Sequence, residues 1–140
     1  MFLSEEGGLN SGYMVAQYTA ASLVSENKVL AHPASVDSIP TSAGQEDHVS
    51  MGTTSARKAV NVCDNVERVL AIEFLCAAQA LDFRKIPAGT GSSAAFEAIR
   101  KVVPYLAADR VVAKDIEAMV SIMKDGSLLS AVEAACGELE

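Results

Sequence analysis

Residues 53–85 read TTSARKAVNVCDNVERVLAIEFLCAAQALDFRK, a run that contains neither proline nor glycine. Apolar side chains recur along it at helical spacing, and they form two stripes instead of one. We predict one long helix that ends near Phe83. It should begin between Ser42, which makes a capping-box pattern with Gln45, and Asp47. The two stripes are Ala56, Val60, Cys63, Leu70, Phe74, Ala77 and Leu81, and Val62, Val66, Val69, Ile72 and Cys76.

This predicted helix is longer than a small monomeric domain requires. A helix of about 35 residues spans on the order of 50 Å, whereas the whole chain has 140 residues. Its apolar residues cover much of the circumference, so one neighbouring helix would not bury them all. We therefore expect further protein surface to cover them, from additional chain or from other subunits.

The remaining segments also favour helices. Residues 11–30 predict a first long helix, with Ser11 as its N-cap and His32-Pro33 after its end. Residues 86–93 form a Gly/Ser-rich break, and shorter amphipathic helices are predicted over 94–103, 111–123 and 128–139. The prediction is an all-α chain forming one helical segment over 1–140: two long bundle helices within 11–83, a loop at 32–47, and shorter helices within 84–140.

Composition and charge exclude several functional classes. Half of the residues are hydrophobic but only 5% are aromatic, which suits closely packed helices. A formal net charge of −7 opposes binding to a phosphate backbone, so no nucleic-acid partner is expected. Residues 7–25 carry no charge but are too polar to span a membrane, and the N-terminus lacks a signal-peptide pattern. We therefore expect a cytoplasmic protein that does not contact membranes.

Several apparent site motifs have simpler interpretations. The three cysteines, Cys63, Cys76 and Cys136, form no ligand-like cluster and are predicted to be small buried thiols. The GTGSS run at 89–93 lacks a preceding strand and a nearby lysine, so it is interpreted as a flexible connector. His32 and His48 lack the spacing of helical zinc motifs, and no metal site is predicted.

The sequence HPASVDSIPTSAGQEDHVSMG, residues 32–52, contains the best candidate for chemistry. Two prolines stiffen it, and loops supported by helices often carry functional residues. Glu46 and Asp47 lie where this loop is expected to enter the long helix, so they could cap the helix or one could face a ligand. Neighbouring side chains in a helix diverge by about 100° and cannot share one role. If Asp47 caps the helix, the Glu46 side chain is left to face a ligand.

The sequences of several segments resemble those of histidine ammonia-lyases. These enzymes are a branch of the aromatic amino acid lyase family, which depends on methylidene imidazolone (MIO). The segments are GGLNSGYM at 7–14, SENK at 25–28, residues 32–52, LDFR at 81–84 and PYLAADRVVAKDIE at 104–117. The resemblance covers essentially the whole chain and implies the C-terminal part of such an enzyme. It further implies an all-α long-helix bundle, a homotetramer, and conversion of L-histidine to urocanate and ammonia.

The resemblance also says which part of the active site is expected here. The family's MIO cofactor forms from an Ala-Ser-Gly triad, and that triad does not occur in these residues. The chain alone is therefore expected to be inactive. The family's active-site glutamate corresponds to Glu46, implying contact with the substrate imidazole or help in proton transfer, and Gln45 is a second candidate for substrate binding.

Two features bear on the substrate: Gly44 departs from the family's pattern, whereas Glu46 favours histidine. Gly44 replaces the asparagine that is usual in the family's motif, which could loosen the loop. Relatives acting on phenylalanine or tyrosine typically have the sequence Asn-Gln-Asp here, without the glutamate. A carboxylate such as that of Glu46 instead suits an imidazole, because it can accept a hydrogen bond from the ring N–H. The alternatives are a tyrosine or phenylalanine lyase, an aminomutase, and a non-catalytic helical oligomerisation module or truncated paralogue.

Overall fold

The computed structural model describes residues 2–84 and 86–139, and its regular elements are helices. The five α-helices are α1 (Met14–Leu30), α2 (Gly52–Phe83), α3 (Thr90–Val102), α4 (Ala113–Lys124) and α5 (Ser127–Cys136). Two short 3-10 turns, Ala34–Val36 and Ser42–Gly44, lie between α1 and α2. No helix of the described ranges is both long and apolar enough to cross a bilayer.

α1 and α2 form an antiparallel pair, as three contacts along their length show. Lys58 Nζ donates to the carbonyl of His32 at one end. Midway, the buried amide Nδ2 of Asn65 donates to Glu26 Oε2 and Asn27 Oδ1, at 2.8 and 3.0 Å. At the other end, Gln79 reaches the N-terminal segment before α1. The loop that joins the two helices therefore lies at one end of the pair.

The hydrophobic core lies at the opposite end from that loop. The C-terminal half of α2 packs against α3, α4 and the segment that joins them. The buried positions of α2 lie between residues 65 and 79, and none lies in its first 13 residues. Fully buried Leu75, Met119 and Val103 are at the centre of this core. The N-terminal half of α2 thus extends beyond the core and carries the loop with it.

The predicted helices are present, but three local predictions outside the loop between α1 and α2 were wrong. Ser11 does not cap α1, because the helix begins at Met14, its N-cap position is Tyr13, and no side chain bonds to its first turn. The residues after Gly89 are not a flexible connector, because α3 begins at Thr90. Cys63 and Cys136 are exposed in this chain, and Cys76 is half-buried.

The N-terminal loop is held against the segment before α4 by Asp109. Its two carboxylate oxygens accept from the backbone N–H groups of Ser11 and Gly12, at 2.8 and 2.9 Å. These two bonds hold the pKa of Asp109 below its ordinary value of 3.8. Gly12 has a φ of +58°, and a Cβ there would collide with the Phe2 carbonyl oxygen. Glycine is therefore required at this turn.

Asp109→Asn should destabilise the chain in a pH-dependent way. An amide has only one acceptor oxygen and would turn its NH2 group toward a backbone N–H. Because the folded-state pKa is lowered, the carboxylate's contribution is complete above the unfolded-state pKa and is lost as pH falls through the folded-state value. Urea unfolding should therefore give a lower free energy of unfolding for the variant than for wild type at pH 7. This difference in free energy should shrink below about pH 4. A pH-independent difference would contradict this role, and Asp37→Asn provides the control for removal of one loop carboxylate.

Candidate active-site loop

The loop between α1 and α2, residues 31–51, is closed by side chains at its base. Lys58 in α2 donates to the His32 carbonyl. Ser38 Oγ accepts from the backbone N–H of Val49 at 2.7 Å and donates to the Val49 carbonyl at 3.4 Å. This one serine thereby joins the outgoing and returning segments of the loop. Residues 39–48 form the tip beyond this closure.

The tip is a tight turn closed by Thr41 and Glu46. Thr41 N donates to Glu46 O at 2.9 Å, and Glu46 N donates to Thr41 O at 3.3 Å. Between them, Ser42, Ala43 and Gly44 all have positive φ, at 52°, 57° and 84°. Serine and alanine seldom adopt this left-handed conformation, and such strain persists where surrounding bonds over-determine it.

The Glu46 carboxylate is bonded at one of its two oxygens. Thr41 Oγ1 and Ser42 Oγ both donate to Glu46 Oε2, each at 3.0 Å. Among residues 2–84 and 86–139, no side chain donates a hydrogen bond to Oε1, and none of the ion pairs includes Glu46. The side chain is exposed in this chain. The turn thus presents a charged oxygen that can accept from a ligand.

The structure corrects the interpretation of this loop as a helix entry. α2 begins at Gly52, five residues after Asp47, and no side chain caps it. Asp47 is therefore not its cap, and Ser42 and Gln45 do not form a capping box. Ser42 lies in the left-handed turn and donates to Glu46. Local spacing suggested a cap, but Ser42 lies ten residues before α2 and its hydroxyl donates to the Glu46 carboxylate.

The other candidate residues of the tip are less closely held. Gln45 follows the turn, and its backbone N–H donates to Ser42 O at 3.2 Å, while its side chain is exposed. His48 is also exposed. Across the described ranges, His, Cys, Asp and Glu side chains do not gather in threes as a metal ion would require. Roles for Thr41, Ser38 and Lys58 were not predicted from the sequence, because their partners lie across the loop.

Gly44 can be understood from its backbone conformation. Its φ of +84° suits glycine, and asparagine is the side-chain-bearing residue that tolerates this region best. A Cβ at position 44 would meet no atom within 4 Å, so there is room for a side chain. The exchange of asparagine for glycine is therefore compatible with the same turn.

Gly44→Asn should leave the turn intact, whereas Gly44→Val should strain it. We expect the asparagine variant to change the free energy of unfolding by less than about 0.5 kcal/mol. Valine is β-branched and disfavours positive φ, and it should cost about 1–3 kcal/mol. Urea unfolding of the three proteins side by side measures both values. Equal stability of the valine and asparagine variants would show that the left-handed turn is not maintained.

Comparisons with known proteins identify relatives of this chain. A family model described as aromatic amino acid lyase matches residues 1–101. A histidine ammonia-lyase from Gloeobacter violaceus is 72% identical over 141 aligned positions, covering 100% of this chain and 27% of that enzyme. The chain therefore spans about a quarter of the length of this curated relative.

Solved structures share the fold. The crystal structure of histidine ammonia-lyase from Trypanosoma cruzi is 49% identical with a TM-score of 0.89, covering 96% of this chain and 27% of that one. A tyrosine aminomutase from Streptomyces globisporus is 40% identical with a TM-score of 0.90, covering 99% and 27%. These similarities confirm the predicted all-α fold, and the family match over residues 1–101 shows that the chain belongs to the aromatic amino acid lyase family.

Proposed function

We propose that this chain forms part of a histidine ammonia-lyase, in which it contributes Glu46 to the L-histidine site. The complete enzyme would eliminate ammonia from L-histidine without oxidation and give urocanate. The observation that carries this proposal is the Glu46 carboxylate, presented at the tip of a closed loop with Oε1 free of side-chain donors in the described part of the chain. The 72% identity to a histidine ammonia-lyase supports the choice of substrate.

A carboxylate at this position suits an imidazole chemically. The neutral ring carries one N–H donor, and a carboxylate oxygen accepts from it in a charge-assisted hydrogen bond. A phenyl ring has no comparable donor, so it would leave the carboxylate without its partner and incur a desolvation cost. Glu46 should therefore hold the substrate ring in one orientation, with its carboxylate also placed to accept a proton. Gln45, beside it, remains a predicted substrate contact.

The residues of this chain do not fit formation of the MIO group. No Ala-Ser-Gly triad occurs in the sequence, so the chain itself cannot supply the electrophile. No reaction step that takes place on the MIO group is therefore assigned to these residues. Their proposed work is to bind and orient the substrate ring and to exchange a proton at the Glu46 carboxylate.

We also propose that the complete enzyme is a homotetramer, as the family resemblance implies. The first half of α2 and much of α1 carry large apolar side chains that this chain does not cover. Val60 is 61% exposed, Val66 43% and Tyr18 70%. Such surface is costly to leave in water and is typical of helices buried in an assembly. A cytoplasmic location remains a prediction from the sequence.

The test uses the complete polypeptide that carries this segment. Incubated with L-histidine, it should release ammonia and produce the ultraviolet absorbance of urocanate, whereas the purified 140-residue chain should produce neither. L-tyrosine and L-phenylalanine serve as competing substrates, and β-amino acid products would identify an aminomutase. Preferential conversion of either aromatic amino acid would overturn the proposal, and light scattering would test the tetramer.

A further inference from the structure

We infer that Thr41 and Ser42 are positioning residues for Glu46: their hydroxyls hold Oε2, so that Oε1 is the oxygen that accepts from the substrate ring. The inference rests on the proposed function and deepens it. It concerns which oxygen of the carboxylate does the binding and what keeps it in place. The pair of hydrogen bonds, each at 3.0 Å, is the observation that carries it.

The two hydroxyls use the acceptor capacity of one oxygen only. A carboxylate oxygen has two lone-pair sites, and Oε2 already accepts from two donors. A further donor is therefore directed to Oε1. A free glutamate side chain would sample several rotamers, and restraint at Oε2 removes most of that freedom before a ligand arrives.

The backbone of the turn brings the two donors to the same oxygen. Thr41 and Glu46 are paired through both of their backbone polar groups, which places the Thr41 hydroxyl beside the carboxylate. Ser42 adopts a φ of +52°, and its hydroxyl also reaches Oε2. A strained serine beside a functional carboxylate is the kind of outlier expected where geometry serves binding.

The chemistry of the donors also fits a binding role. A lysine or arginine would hold the carboxylate more strongly, but it would neutralise the charge that attracts the imidazole N–H. Neutral hydroxyls restrain the group and leave its charge available. In the described ranges, the three ion pairs of the chain all lie elsewhere.

The experiment is a double-mutant cycle in the complete enzyme. Thr41→Val with Ser42→Ala removes both donors, and the same pair is introduced into a Glu46→Gln background. With Glu46 present, the loss of two charge-assisted bonds should lower kcat/KM for L-histidine by about 10- to 100-fold. In the Glu46→Gln background, the same substitutions should have less than about a threefold further effect.

Two further variants separate positioning from folding. Thr41→Ser keeps a hydroxyl and, with Ser42 intact, should retain most of the activity. Ser35→Ala removes an exposed hydroxyl from the same loop and is the matched control. The melting temperature of every variant is measured as well, because a purely structural role would lower it and would act regardless of the residue at position 46.

The outcomes are distinct. An equal loss in both backgrounds, or full activity of the Thr41→Val/Ser42→Ala enzyme, would overturn the inference while wild-type urocanate formation leaves the proposed function standing. If the wild type instead converts another amino acid, the proposed function fails, and the same cycle with that substrate decides the role of the hydroxyls. A wild type inactive on all three amino acids would overturn both.

Discussion

Glu46→Gln should lower kcat/KM of the complete enzyme for L-histidine by about 100-fold or more, the range expected when a group that accepts a proton or a charged hydrogen bond is lost. Glutamine has nearly the same size and shape as glutamate, so packing is preserved. Its amide has one acceptor oxygen and no charge, and the Thr41 and Ser42 hydroxyls would compete with the substrate for that oxygen. Steady-state kinetics on L-histidine measure the effect.

The control for this prediction is Asp37→Asn, which removes the same charge from the same loop. Asp37 is exposed and lies before the Ser38 closure, away from the turn that presents Glu46. Its variant should retain activity close to wild type. If Glu46→Gln were as active as Asp37→Asn, the carboxylate would have no special role in the site, and the functional proposal would lose the observation on which it rests.

Gln79→Met should be among the most destabilising single changes in this chain. Gln79 is completely buried, and its amide uses every donor and acceptor position. Nε2 donates to the carbonyls of Leu3 and Leu106, at 3.3 and 3.1 Å. Oε1 accepts from Leu106 N at 3.1 Å and from Arg100 at 3.4 Å. One side chain therefore joins the N-terminal segment, α2, α3 and the segment after α3.

Methionine fills similar space but satisfies none of these groups. The buried N–H and carbonyl of Leu106 would lose their partners, which should cost about 2–4 kcal/mol of unfolding free energy. The melting temperature should fall by on the order of 10 °C. Gln17→Met, at an exposed position of α1, is the matched control and should change stability little. A Gln79→Met chain as stable as this control would contradict the role assigned to the amide.

The helices were largely predictable, because uninterrupted apolar periodicity reflects local geometry. The end of α2 at Phe83 agrees with the prediction, and α1 ends at Leu30 as expected before His32-Pro33. The start of α2 was placed too early, because Ser42 and Gln45 have the spacing of a capping box. In the folded chain, Ser38 and Thr41 instead bond to residues on the returning side of the loop. Such partners are not visible in local spacing.

The face of α2 that becomes buried could not be chosen from its pattern. Two apolar stripes were available, yet Val60 of the first stripe stays exposed while polar Gln79 is completely buried. Ile72, Leu75 and Gln79 face α3, α4 and the N-terminal segment because those elements close over the C-terminal half of the helix. Apolar periodicity cannot predict a buried amide, because the amide's partners come from distant parts of the chain.

An all-α chain and the family resemblance could be read from the order of residues, and so could the hypothesis that Glu46 binds an imidazole. Those properties follow from local periodicity and from residue types in a specific order. The left-handed turn around Glu46, the two hydroxyls that hold its Oε2, and the anchoring of the core by Gln79 became visible only in the folded chain. Hydrogen bonds and burial depend on groups brought together by folding, whereas helix formation depends mainly on neighbours along the chain.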